Sequence, residues 1–206
     1  MLLLKATEDN INKAAKTVKN GGLVIYPTDT VYGLGCDPFK TRAVEKLLNA
    51  KKERKDKPLP ILASSLKAAE KVAKINRDAR KIAEKYWPGP VTLVVPKKSV
   101  LPNIVTCGLA SVGVRVPNHQ VALKLIDLCG GLLIGTSANR SNEKPPRTAS
   151  EADWQLGNVV DIILDGGKSP SSQESSIIDL TSRAPKILRE GPVKLQEILE
   201  ILKTVS

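Results

Sequence analysis

The chain is poor in the side chains that carry covalent and metal chemistry. It has one histidine, three cysteines and one methionine in 206 residues. A single histidine cannot build a typical zinc site, and Cys36, Cys107 and Cys129 are too widely spaced for a metal or redox pair. No protein-held metal is expected. Cys36 lies beside a glycine turn, where a nucleophile could stand, but His119 is the one histidine that could activate it. Cys129 falls on the apolar face of a helical pattern and reads as a small buried hydrophobe. Aromatic residues number six, two Trp, three Tyr and one Phe, too few for a base-stacking platform. No apolar run approaches a membrane span, and Met1-Leu2-Leu3-Leu4 is too short for a signal-peptide core, so a cytoplasmic protein without membrane contact is expected.

What is present is a well-populated core and an excess of positive charge. Hydrophobic residues make up 41% and charged residues 26%, which suits one soluble domain over residues 1–206. The net charge of +11 leaves open a module that binds tRNA or double-stranded RNA without catalysis, since Lys and Arg displace phosphate counterions. The plainer reading of lysines such as Lys67, Lys71 and Lys74 is a solvated helix face.

Helical and strand patterns alternate along the chain. Ile11, Ala14, Ala15 and Val18 fall at helical spacing behind Asp9 or Asn10 as a cap; Val44, Leu47 and Leu48 mark a second helix. Ala68, Ala69 and Val72 mark a third, and Ala79, Ile82 and Tyr86 a fourth. Val121, Leu125 and Leu128 follow Asn118 as cap, Thr148 and Glu151 form a capping-box signature, and Leu195 to Leu202 close the chain. Short apolar runs at 23–26, 60–63, 91–95, 112–116, 132–134, 162–164, 177–180 and 186–188 read as strands. Helices stand between some strands and only loops between others. The spacing therefore predicts an α/β (α+β) fold, a twisted open sheet of mixed parallel and antiparallel strands with helices packed on it.

The first buried run enters Pro27-Thr28-Asp29-Thr30-Val31-Tyr32-Gly33-Leu34-Gly35, which puts hydroxyls and bare backbone at a strand end, where open α/β sheets bind ligands. The basic cluster 51–57 follows, so an anionic ligand is expected, most simply a phosphate. The standard phosphate cradles are absent. Gly166-Gly167-Lys168-Ser169 ends like a P-loop, but Ile162 occupies the place of its first glycine. Pro38 breaks the dinucleotide fingerprint that Gly33 and Gly35 begin. Hydroxyls and cations gather at other strand ends instead: Lys52, Arg54 and Lys57, Ser111 and Arg115, Ser137 and Asn139, Ser175, and Arg189.

In their combination and order these segments resemble the YrdC family of threonylcarbamoyl-adenylate synthases. The resemblance rests on the 27–35 string, Lys52-Glu53-Arg54, Trp87-Pro88-Gly89-Pro90-Val91-Thr92 and Val114-Arg115-Val116-Pro117-Asn118-His119. It extends through Thr136-Ser137-Ala138-Asn139, Glu174-Ser175-Ser176-Ile177 and Leu188-Arg189-Glu190-Gly191-Pro192. It covers residues 10 to 195 and implies the YrdC-like fold, in the short form that ends soon after Arg189. It also implies that L-threonine, bicarbonate and ATP are converted to threonylcarbamoyl-AMP and pyrophosphate, with magnesium arriving on the nucleotide. A partner enzyme would transfer the product to tRNA. The same fold also serves as the carbamoyl-transfer module of hydrogenase maturation proteins, which are much longer chains.

By matching positions, the resemblance assigns threonine to Thr30, Arg115, Gly135 and Ser175. It assigns the phosphates to Lys52 and Arg54 as catalytic cations with Lys57 in support, and the rest of the nucleotide to Ser111, Ser137, Asn139 and Arg189. Departures from the family pattern are a short 55–58 loop, Leu62 where some longer members carry histidine, and Ser176 in place of a common threonine. The Gly- and Ser-rich stretch 165–176 reads equally as a lid over bound substrates or as a mobile surface loop.

Overall fold

The computed structural model describes residues 1–51, 57–171 and 173–203. In chain order the elements are β1 (Leu2–Lys5), α1 (Glu8–Lys19), β2 (Val24–Tyr26), β3 (Gly33–Gly35), α2 (Thr41–Lys51) and β4 (Ile61–Ala63). Then come α3 (Leu66–Ala69), α4 (Arg77–Tyr86), β5 (Val91–Pro96), α5 (Asn103–Thr106), β6 (Ser111–Arg115), α6 (Gln120–Leu128), β7 (Leu132–Ile134) and β8 (Thr136–Ser137). The last are α7 (Ala149–Leu156), a 3-10 turn (Gly157–Val159), β9 (Ile162–Asp165), β10 (Ser176–Asp179), β11 (Lys186–Arg189) and α8 (Leu195–Lys203).

The strands form two mixed sheets, in the orders β1-β9-β2-β3-β8 and β11-β10-β5-β6-β4-β7. In the first, β9 runs parallel to both β1 and β2, and β3 is antiparallel to β2 and β8. In the second, β10 is parallel to β5, and β4 to β6, with antiparallel pairs between. The mixed direction is as the sequence spacing requires; the division into two sheets is new.

Period-two alternation sorts the strand side chains into two apolar layers. Ile25, Ile61, Leu132, Ile134 and Ile163 enter the larger cluster, while Val24, Tyr26, Leu62, Leu133, Ile162 and Leu164 enter the smaller one beneath α1 and α6. Each fully buried Leu, Ile or Val contributes roughly 1.5–3 kcal/mol against the chain entropy that folding removes.

The sheets meet at Gly135. Strand β7 belongs to the second sheet and β8 to the first, with Gly135 as the single residue between them. Its amide donates to Pro60 O at 3.0 Å, and Ile134 N donates to Cys36 O at 3.0 Å, so the backbones at the junction are sewn together. A Cβ on Gly135 would stand 2.3 Å from Leu62 Cγ and 3.1 Å from the Tyr26 hydroxyl. The chain crosses between the sheets where only hydrogen fits.

Several local details differ from the sequence reading. Thr7, not Asp9 or Asn10, caps α1: its Oγ1 accepts from Asn10 N at 3.4 Å, and the acids fall in the first turn, where they complement the helix dipole. His119 rather than Asn118 is the residue before α6, and its side chain makes no capping bond. In the capping box of α7, Thr148 Oγ1 accepts from Glu151 N at 3.2 Å. The Glu151 carboxylate accepts from Arg147 N at 2.7 Å, one residue earlier than the usual partner. Helix α3 is one turn and stops before Val72.

Candidate active site

The site is built first by the loop between β2 and β3. Thr28 Oγ1 donates to Val31 O at 2.6 Å and accepts from Thr30 N at 3.2 Å, so one hydroxyl folds the loop back on itself. Because that hydroxyl proton is committed, the 3.1 Å contact between the two threonine hydroxyls is donated by Thr30. Thr30 Oγ1 in turn accepts from Arg115 NH1 at 3.1 Å.

Arg115 ends β6 with only 5% of its surface exposed. Its NH2 lies 2.5 Å from Asp29 Oδ1, and its Nε donates to Gly89 O at 2.8 Å. Burial pulls the guanidinium below its ordinary pKa and Asp29 opposes that pull; a guanidinium keeps its charge regardless. The Trp87-Pro88-Gly89-Pro90 turn, with a cis Trp87–Pro88 bond, supplies the carbonyl, and Gly89 N is fixed by Val116 O at 2.9 Å.

A second cluster forms where β5 and β10 run side by side. Thr92 Oγ1 and Ser175 Oγ are 2.8 Å apart. Arg189, from β11, reaches Ser175 with Nε to the carbonyl at 3.0 Å and NH2 to Oγ at 3.1 Å, while its NH1 pairs with Glu174 Oε1 at 2.9 Å.

These groups open into one cavity of about 420 Å³ at the junction of the sheets. Of the residues singled out from sequence, Thr30, Lys57, Arg115, Gly135, Ser137, Asn139, Ser175 and Arg189 all line it, although up to 159 positions separate them. Ser111 does not. It starts β6 while Arg115 ends it, so the strand's own length of about 3.3 Å per residue carries Ser111 away from the cavity. Lys52 and Arg54 lie outside the described residues.

Leu62 lines the cavity, whereas Ser176 faces away from it: its Oγ donates to Val193 O at 2.6 Å and accepts from Val193 N at 3.0 Å. Ser176 therefore does not shape the pocket. The 165–176 stretch is pinned over its first half. Tyr32 donates to Gly167 O at 2.6 Å and accepts from Gly166 N at 3.3 Å, and Ser169 and Arg147 exchange backbone and guanidinium bonds at 2.8 and 3.1 Å. Burial holds the Tyr32 phenol protonated up to about 12, so it remains a donor at neutral pH. A lid over the whole stretch does not fit these anchors.

Cys36 is fully buried and does not line the cavity; burial pushes its thiol up to about 12. Cys129, at the end of α6, is half-buried, packs on the smaller cluster and is likewise pushed up to about 12 by burial. The cavity offers hydroxyls, cations and bare backbone, which suit a ligand bearing a carboxylate and phosphates.

The Sua5_yciO_yrdC family model, described as telomere recombination, matches residues 16–191. The chain belongs to the Sua5/YciO/YrdC family. The threonylcarbamoyl-AMP synthase of Pyrococcus abyssi is 40% identical over 95% of this chain, and the chain spans 58% of that relative's length. The threonylcarbamoyl-AMP synthase of Idiomarina loihiensis is 36% identical over 81% of this chain and 91% of its own. The crystal structure of P. abyssi Sua5 complexed with L-threonine superimposes with a TM-score of 0.95 at 38% identity, covering 98% of this chain and 61% of that one.

For this Sua5/YrdC-family chain, sequence reasoning missed Lys51, Thr28, Asp29, Thr92 and Glu174 as site-building residues. Thr28 and Asp29 sat inside the recognised string, but Asp29's role depends on Arg115, 86 positions away. Lys51 stood in the basic cluster 51–57 with no role of its own; it is 1% exposed.

Proposed function

We propose that the chain is a threonylcarbamoyl-AMP synthase: L-threonine, bicarbonate and ATP give threonylcarbamoyl-AMP and pyrophosphate. The observation that carries this reading is the state of Arg115. A guanidinium has five N–H donors. Three are used by Gly89, Thr30 and Asp29, which leaves two among the described residues, one on each terminal nitrogen, in a cavity that Arg189 and Lys57 also line. That is a fork for a carboxylate beside cations for phosphates. The shared name of the Pyrococcus and Idiomarina relatives supports it, and so does the threonine-bound Sua5 structure.

In this reading Arg115, oriented by Thr30, holds the threonine carboxylate, with Ser175 and the Gly135 backbone beside the same substrate. The threonine amine adds to the carbon of bicarbonate-derived carbon dioxide and loses a proton, giving a carbamate. A carbamate oxygen then attacks the α-phosphorus of ATP, the bond to the β-phosphate oxygen breaks, and pyrophosphate leaves. Charge builds on the phosphates, so Lys52 and Arg54, with Lys57 and Arg189, act by position and electrostatics. Ser137 and Asn139 orient the nucleotide. No protein nucleophile takes part.

Among the described residues no cluster of three His, Cys, Asp or Glu could hold a metal ion, and Glu174, the carboxylate lining the cavity, is paired with Arg189. Magnesium would therefore be held by the nucleotide's own phosphates, where it would neutralise charge. The mixed anhydride is short-lived and calls for a partner transferase that moves the group to tRNA; the +11 charge suits direct contact with tRNA or double-stranded RNA. No described helix is long and apolar enough to cross a membrane, and we place the reaction in the cytoplasm.

Mass spectrometry of a reaction containing ¹³C-bicarbonate tests the proposal. The expected product is an adenylate of threonine that carries the label. An adenylate without the label, formed from the threonine carboxylate itself, would overturn it.

A further inference from the structure

Strand β1 is an edge of the first sheet, and among the described residues no strand pairs with its outer side. Leu2 N donates to Asp161 O at 2.9 Å and Ala6 N to Asp165 O at 2.8 Å. In this parallel ladder residues 2, 4 and 6 therefore turn their backbone groups toward β9, and Leu3 and Lys5 turn theirs outward. The Lys5 carbonyl is already taken, by Thr7 N at 2.8 Å and Asn10 Nδ2 at 2.9 Å. The edge thus offers the Met1 carbonyl, both polar groups of Leu3 and the Lys5 amide. Open edges are usually blunted by charge, proline or a bulge. Here Leu2-Leu3-Leu4 runs along the edge, and Lys5 at its end is the one charge in the strand.

The side chains beside the edge are as open as its backbone. Leu3 registers with Ile163, which enters the larger cluster together with Ala149, Ala152 and Leu156 of α7. By alternation Met1, Leu3 and Lys5 stand on the α7 side of the sheet. Met1, Leu3 and Val159 are exposed, and Trp154 on α7 is 76% exposed, although its ring is the largest apolar surface a side chain can hide. A Cβ at Gly157 would collide with Asp153 Oδ1 and lie 3.4 Å from Met1 Cε, so the Asp153 carboxylate and the Met1 side chain flank the same glycine. Among the described residues no side chain engages Lys5 or Asp153.

We infer that a second copy of this chain covers this edge, β1 pairing antiparallel with its own twin across a twofold axis at Leu3. The register follows from the groups left open. With the axis at Leu3, the two Leu3 residues exchange both hydrogen bonds, and each Lys5 amide meets the other copy's Met1 carbonyl. An axis at Lys5 would need the carbonyl that Thr7 and Asn10 hold. In the Leu3 register Lys5 of one copy stands opposite Met1 of the other, on the same face of the ribbon. Each ammonium is thereby brought to the other copy's Asp153, a complementary pair made twice by symmetry, and the Leu3 and Trp154 side chains close over the ribbon.

Pairing uses up the edge in both copies, so assembly stops at two. A strand of four residues and one apolar patch make a small contact, below about 1,200 Å² in all, so the pair is reversible and concentration-dependent. Strand β8, which lines the cavity, is the opposite edge of the first sheet. The pair therefore leaves the active site open, and the inference stands apart from what the cavity binds.

Sedimentation velocity of the full chain from about 1 µM to about 1 mM, at an ionic strength that screens the +11 on each copy, tests the inference. A monomer–dimer equilibrium is expected, with tryptophan emission moving to the blue as concentration rises, because Trp154 becomes covered. Leu3→Pro removes the outward amide without touching the ladder to β9, and is expected to abolish the dimer. Lys5→Glu and Asp153→Lys are each expected to weaken it at least tenfold, and the two together to return it to within about threefold of wild type. Turnover per subunit is expected to stay unchanged in all of them. The charge exchange keeps the test decisive should Leu3→Pro fail to fold.

A wild-type chain that stays monomeric across the range would overturn the inference and leave the edge to a strand of some other protein. A dimer that Leu3→Pro and the charge exchange leave untouched would overturn it as well, since the copies would then meet elsewhere.

Discussion

Asp29 and Arg115, 86 positions apart, form a buried ion pair at 2.5 Å, with side chains 11% and 6% exposed. The pair sets the plane of the guanidinium, and with it the direction of the two N–H groups proposed to take the threonine carboxylate. Breaking such a pair from one side leaves an uncompensated buried charge, which costs about 3–5 kcal/mol. Asp29→Ala is therefore expected to lower the unfolding free energy on that scale in urea titrations. Arg115→Ala is expected to weaken threonine binding by about a hundredfold or more, the scale of truncating one partner of a buried charged contact, while ATP binding changes little. Calorimetry with each ligand separates the two outcomes.

Gly135 is the joint between the sheets and a wall of the pocket. Gly135→Ala would drive a methyl group to 2.3 Å from Leu62 Cγ and 2.5 Å from its Cδ1. Loss of most threonine-dependent activity is expected. Because the obstacle is a side chain and not backbone, Gly135→Ala with Leu62→Ala is expected to regain a measurable part of it. Gly35 offers no such relief: a Cβ there would meet Ile134 O at 2.4 Å, and Gly35→Ala is expected to fail at the level of folding, checked by thermal denaturation.

His119 titrates with a defined sign. Burial lowers its pKa below the ordinary 6.5, and the nearby Asp29 opposes the shift. The unfolded chain then takes up the proton more readily than the folded one. Its contribution to stability is present above pH 6.5 and is lost as the pH falls from there through the folded value. Thermal denaturation between pH 7.5 and 5 is expected to show this decline, and His119→Gln is expected to make it shallower. An identical slope in the variant would remove His119 as the cause.

Cys36 should be inert. It is fully buried with its thiol pushed up to about 12, so alkylation of the native protein at pH 8 is expected to spare it and to mark it only after unfolding. Cys36→Ser is expected to retain catalysis, as a reaction without a protein nucleophile requires.

Much of the site was legible because its pieces are local strings: a hydroxyl-rich strand end at 28–30, Arg115 on a strand, Ser137 and Asn139 after another. Periodicity also gave most helices, since residues such as Ile11, Ala14 and Val18 repeat on one face. What the sequence withheld depends on distant partners. Lys51 is one cation among several in the 51–57 cluster until Ser137 and Asn139 are brought to it, and Ser111 looks like a site residue until its strand is given a direction. Strand β3 is missing from the apolar runs because Gly33-Leu34-Gly35 carries two glycines; they are there for close approach to Tyr26 and Ile134. The two-sheet division was hidden for a similar reason, as one glycine separates β7 from β8.

Pyrophosphate release from ATP by the purified protein, with L-threonine and bicarbonate omitted in turn, tests the central claim most directly. Release is expected to require both, together with ATP. Release that persists without them, or none at all from protein shown to be folded, would contradict the synthase reading and leave the basic surface to be explained by RNA binding alone.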